Sequence, residues 1–220
     1  MGNIKDNILY RSASPCNNEH NRASYVDTLM AEDKIEFIMN LADTKAKIDS
    51  YIEKSDFNSP YFLSLYQNEK FFLSFANDES IMPLALNMNY MSEDFAKKIG
   101  VGLTAMANSE GPYLVHCLEG KDRTGFVCIV LEALCGATYQ ELVDDYMLTY
   151  KNYYKITEES DSLRYNVIKT RNVDAMLKFL INDENADLKN VDFVPHIKNY
   201  LKLGGMKEED IENLINKITN

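Results

Sequence analysis

The stretch 113–134 constrains the fold of this chain more than any other. It opens with Tyr-Leu-Val-His at 113–116, a short apolar run that is typical of a buried strand. A short polar turn follows, and the apolar stretch 123–134 then predicts a helix, with Gly136 where a glycine often ends one. A strand that enters a helix through a short turn is a unit of α/β proteins, so we expect a sheet with helices on its faces.

The remaining segments agree with this fold class. Apolar runs at 8–12 and 34–41 predict two further strands. Helices are predicted at 22–33, 44–56, 92–108, from the capping box Thr138–Glu141 onward, at 161–182 with a break near Arg171, at 190–203 and at 207–219. The segment 57–91 is ambiguous, with strand-like fragments at 71–76 and 81–88. We therefore predict one domain over 1–220, with a central sheet flanked by helices and a helical C-terminal half.

Charge and cysteine usage exclude several classes of protein. The net charge of −11 argues against nucleic acid and anionic membranes as partners. Four cysteines without a Cys-x-x-Cys pair argue against a zinc cluster, and Cys128 and Cys135 fit one buried helix face. No apolar run is long enough to span a membrane, and the first 30 residues lack a signal-peptide core. We expect a cytoplasmic protein, the alternative being an exported protein whose signal has been removed.

Cys117 and Arg123 bracket the turn between the predicted strand and helix. Backbone N–H groups of a turn that curls into a helix N-terminus point inward and bind anions. The helix dipole and Arg123 both favour the thiolate form of Cys117, and a guanidinium binds two phosphate oxygens in a fork. Gly120 permits close approach of the backbone. The nucleotide-binding P-loop is excluded, because Val115 and Asp122 stand where that motif requires Gly and Ser or Thr.

The run His-Cys-Leu-Glu-Gly-Lys-Asp-Arg-Thr-Gly at 116–125 resembles the His-Cys-x5-Arg-Thr signature of the cysteine-dependent protein tyrosine phosphatases. Lys-Asp directly before the arginine is similar to a bacterial subgroup of that family, and Asp before Arg is also found in phosphoinositide phosphatases of the myotubularin kind. Further similar blocks are LYRSASP at 9–15, LAD at 41–43, LVDDYMLTY at 142–150 and YLKLGGMKEEDIENL at 200–214. The resemblance covers about 8–216 and implies a tyrosine phosphatase-like sheet.

The resemblance also implies a role for each residue of the signature. Cys117 would be the nucleophile that forms a phosphocysteine intermediate, with His116 orienting the thiolate. Arg123 would stabilise the transferring phosphoryl group, and the hydroxyl of Thr124 would hydrogen-bond the sulfur. Lys121 would add positive charge at the pocket rim, useful for a second phosphate. The backbone N–H groups expected to bind substrate belong to Leu118, Glu119, Gly120, Lys121, Asp122 and Arg123.

The general acid that protonates the leaving oxygen is left open by the sequence. Many family members carry this acid in a Trp-Pro-Asp run, and this chain has no tryptophan. Asp122 is the first choice, by resemblance to the Lys-Asp-Arg subgroup. Asp43, which ends a predicted strand, and Asp78, in the ambiguous segment, are the alternatives.

The predicted activity is hydrolysis of phosphotyrosine in proteins or peptides, or of a small phosphomonoester, without a metal or other cofactor. A dual or lipid activity is compatible with the same chemistry. The alternatives are a phosphoinositide or inositol phosphate phosphatase, a non-catalytic module that binds phosphate, and a sulfur transferase, which Arg123-Thr124 fits less well. We expect no stable membrane insertion, and the sequence does not give the oligomeric state.

Three flanking features have two interpretations each. Arg11-Ser12 either supports the loop or ends a strand, and we favour the strand end. Asp144-Asp145-Tyr146 either faces the site or forms an acidic helix face, and we favour the helix face. The tyrosines at 150, 153 and 154 either line a pocket for an aromatic ring or pack the protein, and we favour packing.

Overall fold

The structure is a computed structural model that describes residues 1–68, 72–74 and 90–220. Within these residues, four parallel strands form one sheet in the order β1-β4-β2-β3. The strands are β1 (Leu9–Ser12), β2 (Phe37–Asn40), β3 (Phe72–Ser74) and β4 (Tyr113–His116). His116 is in register with Ser12 on one side and Asn40 on the other. The carboxyl ends of β1, β4 and β2 therefore lie side by side at one edge of the sheet.

Helices surround this sheet and make up the second half of the chain. They are α1 (Arg22–Glu32), α2 (Lys45–Ile52), α3 (Pro60–Gln67), α4 (Glu93–Ala107), α5 (Asp122–Leu134), α6 (Tyr139–Tyr154), α7 (Ser162–Ile168), α8 (Ala175–Ile181), α9 (Val194–Leu203) and α10 (Glu208–Thr219). A π-helical segment, Lys169–Asp174, joins α7 to α8. The predicted fold class, an α/β sheet with a helical C-terminal half, is confirmed.

The alternation of side chains along β4 explains why helices cover both faces of the sheet. Tyr113 and Val115 point into the larger core, which contains α4, α5, α6, α9 and α10. Leu114 points to the other face, where it packs in a second core with Val26 of α1 and Phe62 of α3. Burial on both faces holds β4 rigidly, and with it the residues that follow it.

Several local expectations are confirmed in detail. Ser92 caps α4 by accepting a hydrogen bond from the N–H of Phe95, and Thr138 with Glu141 forms the capping box of α6. The break expected near Arg171 is the π-helical segment. The strand-like fragment 71–76 contains β3, whereas the fragment 81–88 lies outside the described residues, and α3 was not foreseen. Across the described part of the chain, no helix combines the length and apolarity that crossing a membrane requires.

Candidate active site

The turn between β4 and α5, which we call the cysteine loop (residues 117–121), lies at the carboxyl edge of the sheet. Cys117 follows β4 directly, and α5 begins at Asp122. Cys117 is only 3% exposed, and Arg123, in the first turn of α5, is 8% exposed. Ligands of parallel α/β sheets bind at this edge, so the topology places both residues where the sequence pattern requires them.

The framework behind the loop fixes the direction of its peptide groups. The guanidinium of Arg11 donates to the carbonyl oxygens of Gly120 (2.9 Å) and Lys121 (3.3 Å), and the N–H of Ser14 donates to the carbonyl of Leu118 (3.1 Å). In a trans peptide the N–H points opposite to the C=O. The N–H groups that follow these carbonyls, at 119, 121 and 122, therefore point away from the framework, which is the arrangement of an anion cradle.

Gly120 is required by its conformation and by its surroundings. Its φ is +70°, in the left-handed region that favours glycine, and a Cβ there would lie 2.4 Å from the backbone oxygen of Ser12. The loop can therefore lie against β1 only with glycine at this position.

His116 is completely buried directly before the nucleophile position, and its Nδ1 lies 3.3 Å from the backbone oxygen of Cys117. Burial lowers the pKa of this imidazole, so it is neutral at neutral pH. The hydroxyl of Thr124 is also buried, and within the described residues it has no hydrogen-bond partner. An unsatisfied buried hydroxyl costs about 1–3 kcal/mol, which is consistent with a hydrogen bond that forms only during the reaction.

Asp43 lies at the same sheet edge but is held inside the protein. Its Oδ2 accepts a hydrogen bond from the hydroxyl of Ser14 (2.7 Å) and a weaker one from the thiol of Cys16 (3.5 Å), and the residue is 1% exposed. The amide oxygen of Asn40 accepts from the N–H of Asp43, which fixes the turn after β2. Asp43 thus ties the turn after β1 to the turn after β2.

The side chain of Asp122 is held by a group of hydrogen bonds. Its Oδ1 accepts from the phenol groups of Tyr146 (3.2 Å) and Tyr150 (3.4 Å), and its Oδ2 lies 3.7 Å from the ammonium of Lys121. Burial raises the pKa of Asp122, while Lys121 and the two phenols act in the opposite direction. A carboxyl with a raised pKa next to an anion cradle is suited to donate a proton. Asp78, the third candidate acid, lies outside the described residues.

The ammonium of Lys121 is surrounded by acceptors. It lies 3.2 Å from a carboxylate oxygen of Glu119 and 3.4 Å from the phenol oxygen of Tyr154, and the rings of Tyr150 and Tyr154 lie within 6 Å of it. Burial acts to lower the pKa of this lysine, but Asp122, Tyr150 and Glu119 raise it by more. The pKa is therefore raised overall, and the ammonium keeps its charge. Lys121 therefore keeps its positive charge beside the loop and is paired with Glu119, and its use for a second phosphate stays a prediction.

Behind the loop, Arg11 forms an ion pair with Asp145 of α6, which corrects both interpretations that we favoured for these flanking residues. Arg11 supports the loop rather than only ending a strand. Asp144 is exposed as expected, whereas Asp145 faces the back of the site. Glu132 of α5 lies beside this pair, and burial together with the charge of Asp145 raises its pKa to about 9, so it carries a proton at neutral pH.

Sequence reasoning considered a site-facing Tyr146 and a pocket-lining Tyr150 on α6 but favoured other interpretations, and it missed the contribution of the π-helical segment. Tyr146 and Tyr150 are spaced four apart and so share a helix face, a signal that was available in the sequence. Asn172, which donates to both phenols, carried no local signal. Tyr150 is buried, whereas Tyr153 and Tyr154 are 43% and 48% exposed at the rim.

Comparison with known proteins agrees with this geometry. A search of the curated proteins finds no match to the chain. A model described as the tyrosine phosphatase family matches residues 1–220. Because the model matches the whole chain, this protein belongs to the tyrosine phosphatase family, and the family indicates phosphatase activity.

Proposed function

We propose that this chain hydrolyses phosphotyrosine through a phosphocysteine intermediate, as one phosphatase domain over residues 1–220. The observation that carries the proposal is the cysteine loop, whose carbonyls at 118, 120 and 121 are tied to the framework, so that the N–H groups that follow them point away from it. A site of this kind binds the three equatorial oxygens of a transferring phosphoryl group and stabilises their charge. A phosphorylated protein or peptide in the cytoplasm is the partner that we propose.

The reaction has two steps. The thiolate of Cys117 attacks phosphorus, a P–S bond forms, the P–O bond to the phenol breaks, and the carboxyl of Asp122 gives its proton to the leaving oxygen. Water then attacks the phosphocysteine and passes a proton to the carboxylate of Asp122, while the sulfur leaves as a thiolate. A hydrogen bond from the Thr124 hydroxyl to the sulfur would stabilise that thiolate, and inorganic phosphate is released.

A substrate with one phosphate fits this site better than one with several. The ammonium of Lys121 is already paired with Glu119, and the chain as a whole carries a charge of −11. Both features oppose a second phosphate or an anionic membrane surface. The phenol rings of Tyr153 and Tyr154 at the rim offer an apolar face to a flat aromatic leaving group.

The experiment that tests the function compares purified protein on a phosphotyrosine peptide, the matched phosphoserine and phosphothreonine peptides, a soluble inositol polyphosphate and a phosphoinositide in vesicles. We expect kcat/KM to be highest for the phosphotyrosine peptide, without added metal and in the presence of a chelator. A preference for the inositol substrates would support the phosphoinositide alternative. Binding of phosphate without turnover of any substrate would identify a pseudophosphatase.

Replacing Asp122 by Asn tests its role as the acid. Because a poor leaving group depends on protonation, Asp122→Asn should lower kcat by about 10²-fold or more for a phosphotyrosine peptide. An aryl phosphate whose phenol is acidic needs little protonation of its leaving oxygen. The rate constant of the first step should therefore fall far less for this substrate. The measurement is single-turnover kinetics with both substrates. Equal losses for both would indicate that Asp122 only positions the loop, and Asp43→Asn, measured in parallel, tests the alternative acid.

Replacing Glu119 by Gln tests the restriction to one phosphate. The variant keeps the backbone N–H of the cradle but removes the charge that neutralises Lys121. We expect kcat/KM for a soluble inositol polyphosphate to rise about fivefold relative to the phosphotyrosine peptide, the effect of one partly exposed ion pair of about 1 kcal/mol. Glu32→Gln, which removes the same charge from the exposed end of α1, should leave the ratio unchanged. An unchanged ratio in the Glu119 variant would contradict this explanation of specificity.

A further inference from the structure

The π-helical segment Lys169–Asp174 brings one amide side chain to the wall of the site. Asn172 is 2% exposed, and its Nδ2 donates to the phenol oxygens of Tyr146 (3.0 Å) and Tyr150 (3.2 Å). Asn172 and Val173 are both buried, whereas none of the residues of α7 before them is. Single π-helical turns within α-helices occur frequently at functional sites.

The π-helical segment is anchored to α6 at both of its ends. The phenol of Tyr139 donates to Asp174 (2.7 Å), and the ammonium of Lys169 donates to the same phenol oxygen (3.3 Å). These contacts fix the register between the segment and α6. The position of Asn172 relative to the phenols is therefore built into the packing of two elements.

The hydrogen-bond inventory at Asn172 determines where the phenol hydrogens point. An amide nitrogen has two hydrogens and no acceptor, so both phenol oxygens accept from Asn172. Each phenol has a single hydrogen left to donate, and the acceptor that both contact is Oδ1 of Asp122. Because Oδ1 accepts twice, a proton on the neutral carboxyl has its place on Oδ2.

We propose that Asn172 is a positioning residue for the phosphatase reaction, which acts through Tyr146 and Tyr150 to keep the transferable proton of Asp122 on Oδ2. This inference rests on the proposed role of Asp122 as the general acid. The alternative, in which a phenol accepts the proton of Asp122, is disfavoured as long as Asn172 occupies both phenol oxygens. The amide thus sets the direction of four hydrogen bonds, two from its own nitrogen to the phenols and two from the phenols to the acid.

The charges that face Asp122 determine the sign of the expected pH effect. They come from the cysteine loop and from α6, and the groups are Lys121, Glu119, Tyr146 and Tyr150. The two phenol donors stabilise the carboxylate, so they hold the pKa of Asp122 below the value that burial alone would produce. If Asn172 no longer occupies the phenol oxygens, the phenols are released to donate elsewhere and the pKa of Asp122 should rise.

The test is the alkaline limb of kcat against pH with a phosphotyrosine peptide, on which Asp122 must stay protonated. Asn172→Leu should shift this limb to higher pH by about half a unit or more, the effect of one weakened hydrogen bond. Asn172→Asp, which keeps the size of the side chain, should shift it further in the same direction, because a second carboxylate attracts the phenol hydrogens. Val173→Ala, in the same segment, should lower the Tm without moving the limb.

A double-mutant comparison separates positioning from a structural effect. In a Tyr146→Phe/Tyr150→Phe background the phenols are absent, so adding Asn172→Leu should move the limb no further. An additional shift there, or an unshifted limb in both single variants at Asn172, would overturn the inference. The Asp122→Asn variant tests the underlying assignment separately. If the alkaline limb persists in Asp122→Asn, then Asp122 is not the acid, and both its role and the positioning role of Asn172 are rejected. If the limb is lost in Asp122→Asn but does not respond to changes at Asn172, only the positioning role is rejected.

Discussion

Replacing Cys117 by Ser should lower the turnover of an aryl phosphate by about 10⁴-fold or more, while the protein remains folded and still binds phosphate. The oxygen of serine is smaller than the sulfur and fits the same space, but a hydroxyl ionises far less readily than a thiol at neutral pH. The neighbouring imidazole offers no compensation, because the hydrogen-bond contact of His116 runs from Nδ1 to the backbone oxygen of Cys117 and not to the side chain at that position. The variant therefore keeps the N–H groups that bind phosphate but lacks an effective nucleophile.

The measurement is the initial rate with an aryl phosphate, together with the affinity for a phosphotyrosine peptide from calorimetry. In the unaltered protein, rapid acid quenching during turnover should trap one phosphoryl group on the peptide that contains Cys117. Cys135→Ser is the matched control, since it alters another buried thiol at the end of α5, away from the cysteine loop. Undiminished turnover in Cys117→Ser would exclude the phosphocysteine mechanism.

The unit β4–loop–α5 was predictable from the sequence because every signal that specifies it is local. An apolar run marks β4, and Gly120 supplies the positive φ that the close approach to β1 requires. Thr138 and Glu141 form a capping box within four residues of sequence. Where neighbouring residues along the chain decide the structure, the predicted element and the observed one agree.

The helix α3 (Pro60–Gln67) escaped prediction for the opposite reason. Its sequence is rich in aromatic residues that also favour strands, and the cap of its N-terminus comes from another helix. The carboxylate of Asp27, in α1, accepts hydrogen bonds from the N–H groups of Tyr61 (3.1 Å) and Phe62 (2.7 Å). A cap supplied from a different element leaves no local pattern that a reader of the sequence can use.

The same distinction applies to the candidate site. The cysteine loop contains its own chemistry, so its residues could be named from one stretch of sequence. The environment that tunes Asp122 comes from Tyr146, Tyr150 and Asn172, which lie on two later elements and approach it only through the packing of α6 and the π-helical segment. The candidate acid could therefore be named from the sequence, whereas the protonation behaviour that the fold gives its carboxyl could not.

Replacing Arg123 by Lys should lower kcat/KM for a phosphotyrosine peptide by about 10³-fold, although the positive charge is kept. The guanidinium is held in place by a hydrogen bond from its Nη1 to the carbonyl oxygen of Leu41 (2.7 Å), and its planar fork matches two phosphate oxygens. An ammonium is a point charge on a flexible stem, so it cannot bind this carbonyl and two phosphate oxygens in the same fixed geometry.

The loss in Arg123→Lys should appear in kcat as well as in KM, because the charge on the equatorial oxygens develops in the transition state. Inorganic phosphate should also inhibit the variant less strongly. Arg22→Lys is the matched control, since that arginine pairs with Glu19 on the protein surface, and it should leave both constants unchanged. A change in KM alone would mean that Arg123 binds the ground state and the transition state equally, so that the backbone N–H groups of the cysteine loop would have to supply the selective stabilisation.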